Sequence, residues 1–186
     1  MTELSSLSQW LHHLENQHHN AIDMGLARVQ AVAQVADLLT LDCPVITVGG
    51  TNGKGSTVAT LTAIYCAANY KVGTYTSPHI IDFNERIAIN NQPVSDELLI
   101  NAFNAVEAAR AITNISLTYF EFTTLAAFWI FKQAKLDIAV LEVGLGGRLD
   151  AVNIIDADVA VVTSIGLDHT DWLGDTREAI SFEKAG

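Results

Sequence analysis

A glycine-rich segment with one lysine follows a short apolar run in the first third of the chain. The apolar run covers residues 45–48, and the segment after it reads Gly49-Gly50-Thr51-Asn52-Gly53-Lys54-Gly55-Ser56. Glycines let backbone N–H groups approach phosphate oxygens, the next helix offers the positive end of its dipole, and Lys54 can reach the terminal phosphates. The pattern predicts a phosphate-binding loop and therefore chemistry with ATP or GTP. The alternative is a glycine-rich turn between a strand and a helix that binds nothing.

The segment differs from the usual P-loop at both ends. That pattern needs a glycine, four residues, then Gly-Lys followed by Ser or Thr, whose hydroxyl binds magnesium. Val48 stands at the position of the first glycine, and Gly55 at that of the hydroxyl. A metal ligand must then come from Ser56 or from another segment. We therefore predict a variant P-loop, unlike that of GTPases or ordinary kinases.

The charge of the chain limits its partners. Ten Lys and Arg residues stand against 21 Asp and Glu, which gives a formal net charge of -11. Nucleic-acid binding needs clustered cations, so this class of partner is excluded. An anionic ligand would need local positive charge from Lys54, Arg86, Arg148 or bound Mg²⁺.

The composition is that of a globular protein with a core. The chain has 186 residues, of which 49% are apolar, and it contains no apolar run long enough to span a bilayer. No secretory signal is recognisable, so a cytoplasmic location is expected. Cys43 and Cys66 are far apart in sequence and are expected to be buried thiols that form no disulfide.

The hydrophobic pattern predicts a doubly wound α/β fold with a mainly parallel sheet. A helix over residues 26–39 follows a shorter helix around Trp10, with a loop at 18–24 between them. Residues 45–48, 56–68 and 72–75 then form a βαβ unit with the glycine-rich segment at its first turn. A hairpin is expected over 85–94, and helices over 95–111 and 119–133.

The last third of the chain completes this pattern. Residues 138–143 and 159–165 are apolar, β-branched runs typical of strands that are buried on both faces of a parallel sheet. A helix begins near Thr176, and no further strand follows it. We therefore expect a fold that is incomplete at the C-terminus, in a chain that is a fragment.

Polar side chains follow several of the predicted strands. Ser77, Glu142 and His169 come at or after strand ends, where ligands bind in such sheets. Oxygen ligands and an imidazole suit magnesium, so these three residues are candidate metal ligands. The alternative for His169 is a role in capping its loop. Tyr119 and Phe120, at a helix start, could stack on a flat heterocycle.

Other patterns are interpreted as structural. The glycines of residues 144–147 lack the spacing of a dinucleotide fingerprint and indicate a tight turn. The histidine pairs at 12–13 and 18–19 are expected on a solvated amphipathic face, with metal binding as the alternative.

These segments together resemble the folylpolyglutamate synthase branch of the Mur ligase superfamily. The resemblance rests on residues 50–56, Thr76-Ser77-Pro78-His79, and residues 142–150, 168–174 and 183–186, in the family's order over nearly the whole chain. Residues 22–26 and 118–121 resemble the dihydropteroate-binding segments of bifunctional bacterial members, which are also dihydrofolate synthases. The resemblance implies the central ATPase domain of a Mur ligase, with 1–186 as an N-terminal ATP-binding domain and the C-terminal glutamate-ligase domain absent.

The resemblance also implies roles for single residues. ATP would be bound by Thr51, Asn52, Gly53, Lys54, Gly55 and Ser56, and magnesium by Ser77, Glu142, His169 and Lys184. Dihydropteroate would be held by Asp23, Met24, Gly25 and Leu26, by Thr118, Tyr119, Phe120 and Glu121, and by Leu149, Asp150 and Ala151. Catalytic roles fall to Lys54, Lys184 and His169, and residues 77–86 resemble a mobile loop over the pterin site.

Lys184 matches a lysine that the family carbamylates to bind a second magnesium ion. Carbamylation needs a neutral amine, whereas free lysine has a pKa of about 10.4, so burial near cations would have to lower it.

The implied activity is ATP-dependent ligation of L-glutamate to dihydropteroate and to folates through an acyl phosphate, with release of ADP. Its partners would be small molecules only, bound by a monomer, and the chain alone would be inactive. Two alternatives remain: another amide ligase of the Mur type, and a fragment that binds nucleotide or pterin without catalysis. ADP formation that requires both dihydropteroate and glutamate would distinguish them.

Overall fold

The computed structural model describes residues 4–20 and 22–186. Six strands and seven helices are present in this part of the chain. The strands are β1 Val45–Gly49, β2 Val72–Tyr75, β3 Ile87–Ile89, β4 Gln92–Pro93, β5 Ile138–Glu142 and β6 Val159–Val162. The helices are α1 Leu7–Glu15, α2 Ala27–Val35, α3 Lys54–Ala67, α4 Asp96–Thr113, α5 Tyr119–Ala134, α6 Thr170–Leu173 and α7 Arg177–Ala185.

The strands form one mainly parallel sheet in the order β4-β3-β2-β5-β1-β6. The neighbours β2, β5, β1 and β6 are parallel, and the short hairpin β3–β4 adds two antiparallel strands at one edge. This confirms the predicted fold class. Because the four parallel strands point the same way, the segments after them meet at one edge of the sheet.

Helices cover the sheet on both faces, and side chains of alternate strand residues enter different cores. The larger core lies under α1, α2, α4 and α5 and includes Val45, Tyr75 and Leu141 from the strands. The smaller core lies under α3 and includes Ile46 and Val140. This alternation is the two-residue period of a strand buried on both sides.

Side-chain caps begin the two long helices α4 and α5. Ser95 accepts a hydrogen bond from the N–H of Leu98 at the start of α4. At the start of α5, Thr118 and Glu121 form a reciprocal capping box. These caps fix the first turn of each helix at the residues that the sequence pattern indicated.

Several predicted boundaries are shifted in the structure, among them the end of the last strand, which is Val162 instead of residue 165. Helix α2 ends at Val35 instead of residue 39, because Asp37 has φ +56° and turns the chain out of the helix. Helix α3 begins at Lys54, two residues earlier than predicted. The residues Phe83–Arg86 form a 3-10 turn, so the hairpin is shorter than expected. Residue 21 of the predicted loop at 18–24 lies outside the described residues.

The prediction that the last strand is buried on both faces is wrong. Val159 and Val162 are 51% and 42% exposed, because β6 lies at the edge of the sheet next to β1. The sequence of a central strand and that of this edge strand are equally apolar. Which of them is covered depends on the strand order.

The remaining general predictions concern the cysteines and the membrane. Cys43 and Cys66 are both free, as predicted, but are half-buried. Burial raises the pKa of the Cys43 thiol to about 11. No helix within residues 4–20 and 22–186 is long and apolar enough to cross a membrane.

Two substitutions on α4 test the position of the larger core. Leu99 is fully buried there, whereas Ile112 is 73% exposed on the same helix. We expect Leu99→Ala to lower the free energy of unfolding by about 2–5 kcal/mol, since it removes buried methyl groups and leaves a cavity. Ile112→Ala should change it by less than about 0.5 kcal/mol. Urea denaturation followed by circular dichroism measures both, and equal losses would contradict this core.

Candidate active site

The glycine-rich segment lies between the ends of β1 and β6 and leads into α3. Gly50 and Gly53 have backbone φ angles of +137° and +85°, which residues with a side chain rarely adopt. A Cβ on Gly50 would also collide with the hydroxyl of Thr163. The loop can therefore take this path only with glycine at position 50, and its backbone stays open towards the start of α3.

The residues after β6 hold the loop in place. The N–H of Thr51 donates to the carbonyl of Ser164 at 2.7 Å, and the N–H of Gly166 donates to the hydroxyl of Thr51 at 3.0 Å. The hydroxyl of Thr163 donates to the carbonyl of Asn52 at 2.7 Å. Residues 163–166 were not among the predicted site residues. Their position beside the loop depends on the pairing of β6 with β1, which the sequence does not specify.

Two lysines meet at the loop. The Nζ of Lys54 donates to the carbonyl of Gly50 at 3.0 Å, and the Nζ of Lys184 donates to the same oxygen at 3.2 Å. Lys184 is buried, and this burial followed by the charge of Lys54 lowers its pKa below the usual 10.5, although two nearby carboxylates oppose the shift. The structure thus brings together two residues that are 130 positions apart.

The position of helix α7 is set by residues 147 and 148, which contact the end of that helix. The N–H of Arg148 donates to the carbonyl of Glu183 at 2.9 Å, and its guanidinium stacks on the ring of Phe182 at 4.1 Å. A Cβ on Gly147 would lie 2.6 Å from the Glu183 carbonyl oxygen. The glycines of this turn therefore allow the close approach that places Lys184 at the loop.

Glu142 lies opposite the start of α3. Both of its carboxylate oxygens are 3.9 Å from the place that a Cβ on Gly55 would occupy, and one accepts the N–H of Ser77 at 3.2 Å. Burial raises the pKa of Glu142, while the Ser77 hydrogen bond and the charge of Lys54 oppose this. A buried carboxylate with so few partners beside a phosphate-type loop is a suitable ligand for a cation.

His169 lines the same cleft as Ser77. It begins the short helix α6 with φ +50°, its side chain is about half exposed, and its Nε2 lies 3.6 Å from a carboxylate oxygen of Asp168. Within residues 4–20 and 22–186 there is no cluster of three His, Cys, Asp or Glu residues arranged for a metal. The predicted ligand set is of another kind, because it includes a serine and a lysine.

A cleft of about 460 Å³ adjoins these residues. Its walls come from three separate segments and from the residues that follow strand ends. They are residues 22–25, 118–121 and 149–151, together with Ser77, Pro78, Arg86, Gly144, Leu145 and His169. Every predicted dihydropteroate residue except Leu26 is among them. Leu26 is partly buried against the larger core.

Two of the lining residues also have structural partners. The buried carboxylate of Asp150 accepts the N–H groups of Leu145 and Val152 at 2.8 and 3.0 Å, and burial raises its pKa to about 6. The ring of Phe120 lies against Gly144, where a Cβ would come within 2.6 Å of it. Gly144 therefore leaves room for this ring in the cleft wall.

The cleft also has a cation. The guanidinium of Arg86 lies 5.5 Å from the ring centre of Tyr119, and its Nε donates to His79 at 2.8 Å. A cation next to aromatic rings suits a ligand that is flat and partly anionic. Sequence reasoning identified Arg86 as a source of positive charge but assigned it no contact.

An ion-pair network behind the cleft was not predicted, and the prediction that His18 lies on a solvated face is wrong, because its side chain is only 11% exposed within this network. Arg28 contacts both Asp23 and Glu121, and His18 contacts Asp23 at 3.3 Å. Asp23 is close to both partners in sequence, but Glu121 is 93 residues from Arg28. No periodicity or motif in the sequence indicates that contact.

Residues 48–186 match the Mur ligase middle domain family. The chain belongs to the Mur ligase family. It is 56% identical, over 182 residues, to the dihydrofolate synthase/folylpolyglutamate synthase of Escherichia coli, a match that covers 98% of this chain and 43% of that protein. The chain thus spans less than half the length of this relative and corresponds to an N-terminal part of it.

Solved structures give the same result. The structure of E. coli FolC in complex with DHPP and ADP has a TM-score of 0.96 and 55% identity, and the match covers 100% of this chain and 44% of that one. A bifunctional folylpolyglutamate synthase/dihydrofolate synthase with Mn, AMPPNP and L-glutamate bound has a TM-score of 0.92 and 53% identity, with 100% and 45% covered. The fold is therefore that of these Mur-type ligases.

Two glycines of the loop give a matched test of its geometry. Gly50→Ala should lower the free energy of unfolding by about 1–3 kcal/mol or more, because φ is unfavourable and Thr163 blocks the Cβ. Gly55→Ala should leave it unchanged or raise it by up to about 1 kcal/mol, since a Cβ there has ordinary contacts in the first turn of α3. Urea denaturation measures both. Equal effects would mean that the loop has another conformation.

Proposed function

We propose that this chain is the ATP- and dihydropteroate-binding part of a ligase that joins L-glutamate to dihydropteroate, giving dihydrofolate, and to folates. One observation carries the proposal: the cleft of about 460 Å³ has Ser77 and His169 in its wall, and Ser77 also contacts Glu142 beside the phosphate-type loop. A carboxylate held in this cleft would therefore lie next to the phosphates of a nucleotide.

The nucleotide is proposed to bind with its phosphates at the loop of residues 51–56. Lys54 starts α3, so its ammonium, the backbone N–H groups and the helix dipole all favour an anion at this place. In the observed conformation Lys54 donates to loop carbonyls, and phosphate oxygens would replace these acceptors. Relatives solved with ADP and with AMPPNP support the assignment of ATP.

Two magnesium ions are proposed beside the phosphates. Ser77, Glu142 and His169 would hold the first, and the buried Glu142 carboxylate with its raised pKa is the feature that fits a cation. Lys184, once carbamylated, would supply a carboxylate to the second. The lowered pKa of Lys184 favours the neutral amine that reacts with CO₂. The metal ions would neutralise charge on the transferred phosphoryl group.

Dihydropteroate is proposed to occupy the cleft. Tyr119, Phe120 and Leu149 supply apolar surface for a flat ring, and the Asp23 carboxylate can accept hydrogen bonds from ring N–H and amino groups. Its carboxylate end would then point towards Ser77 and His169.

The reaction follows from the chemistry of a carboxylate, which is a poor acceptor for an amine at neutral pH. Transfer of the γ-phosphoryl group of ATP to the substrate carboxylate gives an acyl phosphate and ADP. The amino group of L-glutamate then attacks the acyl carbon, and phosphate leaves as the amide forms. Such transfer depends mainly on positioning and on charge stabilisation, which are the roles of Lys54, Lys184 and His169.

We further propose that residues 1–186 act as one ATP-binding domain and need a C-terminal glutamate-ligase domain for turnover. The domain is expected to be a monomer in the cytoplasm and to bind no nucleic acid, in keeping with its charge of -11. The second candidate function is binding of nucleotide or pterin without catalysis by residues 1–186, which span 43% of the E. coli relative.

Nucleotide binding is tested by substituting one lysine of the loop and one lysine at the opposite end of the parallel strands. Lys54→Ala should weaken binding of a non-hydrolysable ATP analogue with Mg²⁺ by about 10- to 100-fold, because a hydrogen bond to a charged group contributes about 1.5–3 kcal/mol. Lys71 is an exposed lysine directly before β2, and Lys71→Ala should leave the affinity unchanged. Calorimetric titration measures both, and unchanged affinity in Lys54→Ala would contradict the phosphate site.

Ligase activity is tested in a chimera that contains the missing length. This chain replaces the matching 182 residues of the E. coli relative. We expect ADP release only when dihydropteroate and L-glutamate are both present, and none when the chimera carries Lys54→Ala. ADP release without either substrate, or a folded chimera that makes no dihydrofolate, would favour one of the alternatives.

A further inference from the structure

We infer that Arg28 is a positioning residue that joins two walls of the cleft and so sets the shape of the dihydropteroate site. The inference rests on the proposed function. Arg28 lies on α2 and is not among the residues that line the cleft. Its Nη1 lies 3.0 Å from the Asp23 carboxylate, and its Nη2 donates to the Asp23 carbonyl and to the Glu121 carboxylate at 3.1 Å.

The contact with Glu121 reaches the start of α5. Glu121 is buried, and its second oxygen accepts the N–H of Thr118 at 2.7 Å, which closes the capping box. The two residues between Thr118 and Glu121 are Tyr119 and Phe120, which supply the aromatic wall of the cleft. The Arg28 guanidinium therefore acts on the same carboxylate that fixes the first turn under these rings.

A second bridge joins the same two segments. The Nε2 of His18 lies 3.3 Å from the oxygen of Asp23 that Arg28 contacts, and its Nδ1 lies 2.9 Å from the hydroxyl of Ser116, just before α5. Residues 22–25 have no helix or strand of their own to fix them. Two side chains from outside the cleft thus determine where Asp23 stands relative to α5.

The chemistry of the network favours arginine at this position. A guanidinium presents planar, forked donors to Asp23 and Glu121 at once, whereas a lysine ammonium is a single point charge. Loss of the guanidinium leaves the buried carboxylate of Glu121 without its cation, which is costly in a site of low polarity. We therefore expect Asp23 and the first turn of α5 to shift or loosen when Arg28 is replaced.

The test compares Arg28→Ala and Arg28→Lys with Arg177→Ala, an exposed arginine on α7. Each protein is titrated calorimetrically with dihydropteroate, and separately with a non-hydrolysable ATP analogue and Mg²⁺, at a temperature where circular dichroism shows it folded. We expect Arg28→Ala to weaken dihydropteroate binding about 10- to 100-fold. Arg28→Lys should recover less than half of that loss on a logarithmic scale. Affinity for the ATP analogue should stay within about twofold, and Arg177→Ala should match the unchanged protein.

Hydrogen exchange of the free proteins gives a readout that needs no ligand. Backbone amides of residues 22–25 and of the first turn of α5 should exchange faster in Arg28→Ala, with those of α3 unchanged. Unchanged dihydropteroate affinity in Arg28→Ala, or equal losses for both ligands, would overturn the inference. If the unchanged protein binds the ATP analogue but no dihydropteroate, the proposed substrate fails and the role of Arg28 in binding it fails too. Unchanged exchange would separately refute the link between the two walls.

Discussion

The hydrogen bonds of Lys54 and Lys184 to one carbonyl oxygen, that of Gly50, are the interaction on which the rest of the site depends. Two ammonium groups so close together repel each other, and burial strengthens this effect. The repulsion is relieved when one amine is neutral or when an anion binds between them. Burial, and after it the charge of Lys54, lowers the pKa of Lys184 in the direction of the first route, and a nucleotide phosphate would provide the second. The place where Lys54 and Lys184 meet Gly50, called the lysine corner, thus favours both a bound anion and a neutral amine.

This corner exists because three chain segments end at the same edge of the sheet. The loop after β1 is fixed by Thr163 and Ser164 after β6, and α7 is fixed by Arg148 after β5. Small residues permit each close approach, most clearly Gly50 beside Thr163. Replacing these glycines would therefore strain the backbone and would also move the packed segments apart.

The cleft beside this corner is built on a different principle. Its segments 22–25 and 118–121 do not follow strands, and side chains from outside the cleft hold them together. Arg28 and His18 make these links. Arg28 contacts the buried carboxylate of Glu121, and His18 contacts Asp23. A site assembled from charged links can be altered without disturbing the sheet, so the proposed binding of dihydropteroate can be tested separately from the proposed binding of nucleotide.

Local features of this fold could be predicted from the amino-acid sequence. The glycine spacing around Lys54 indicated the loop, short apolar and β-branched runs indicated the parallel strands, and the helical pattern indicated a helix from residue 119, where α5 begins. These signals are local because backbone sterics and capping act over a few residues. The tertiary structure decided the strand order, which leaves β6 exposed although its sequence is that of a buried strand. It also decided the contacts of Lys184 with Gly50 and of Arg28 with Glu121, since packing joins residues far apart in the chain and no local pattern records such pairs.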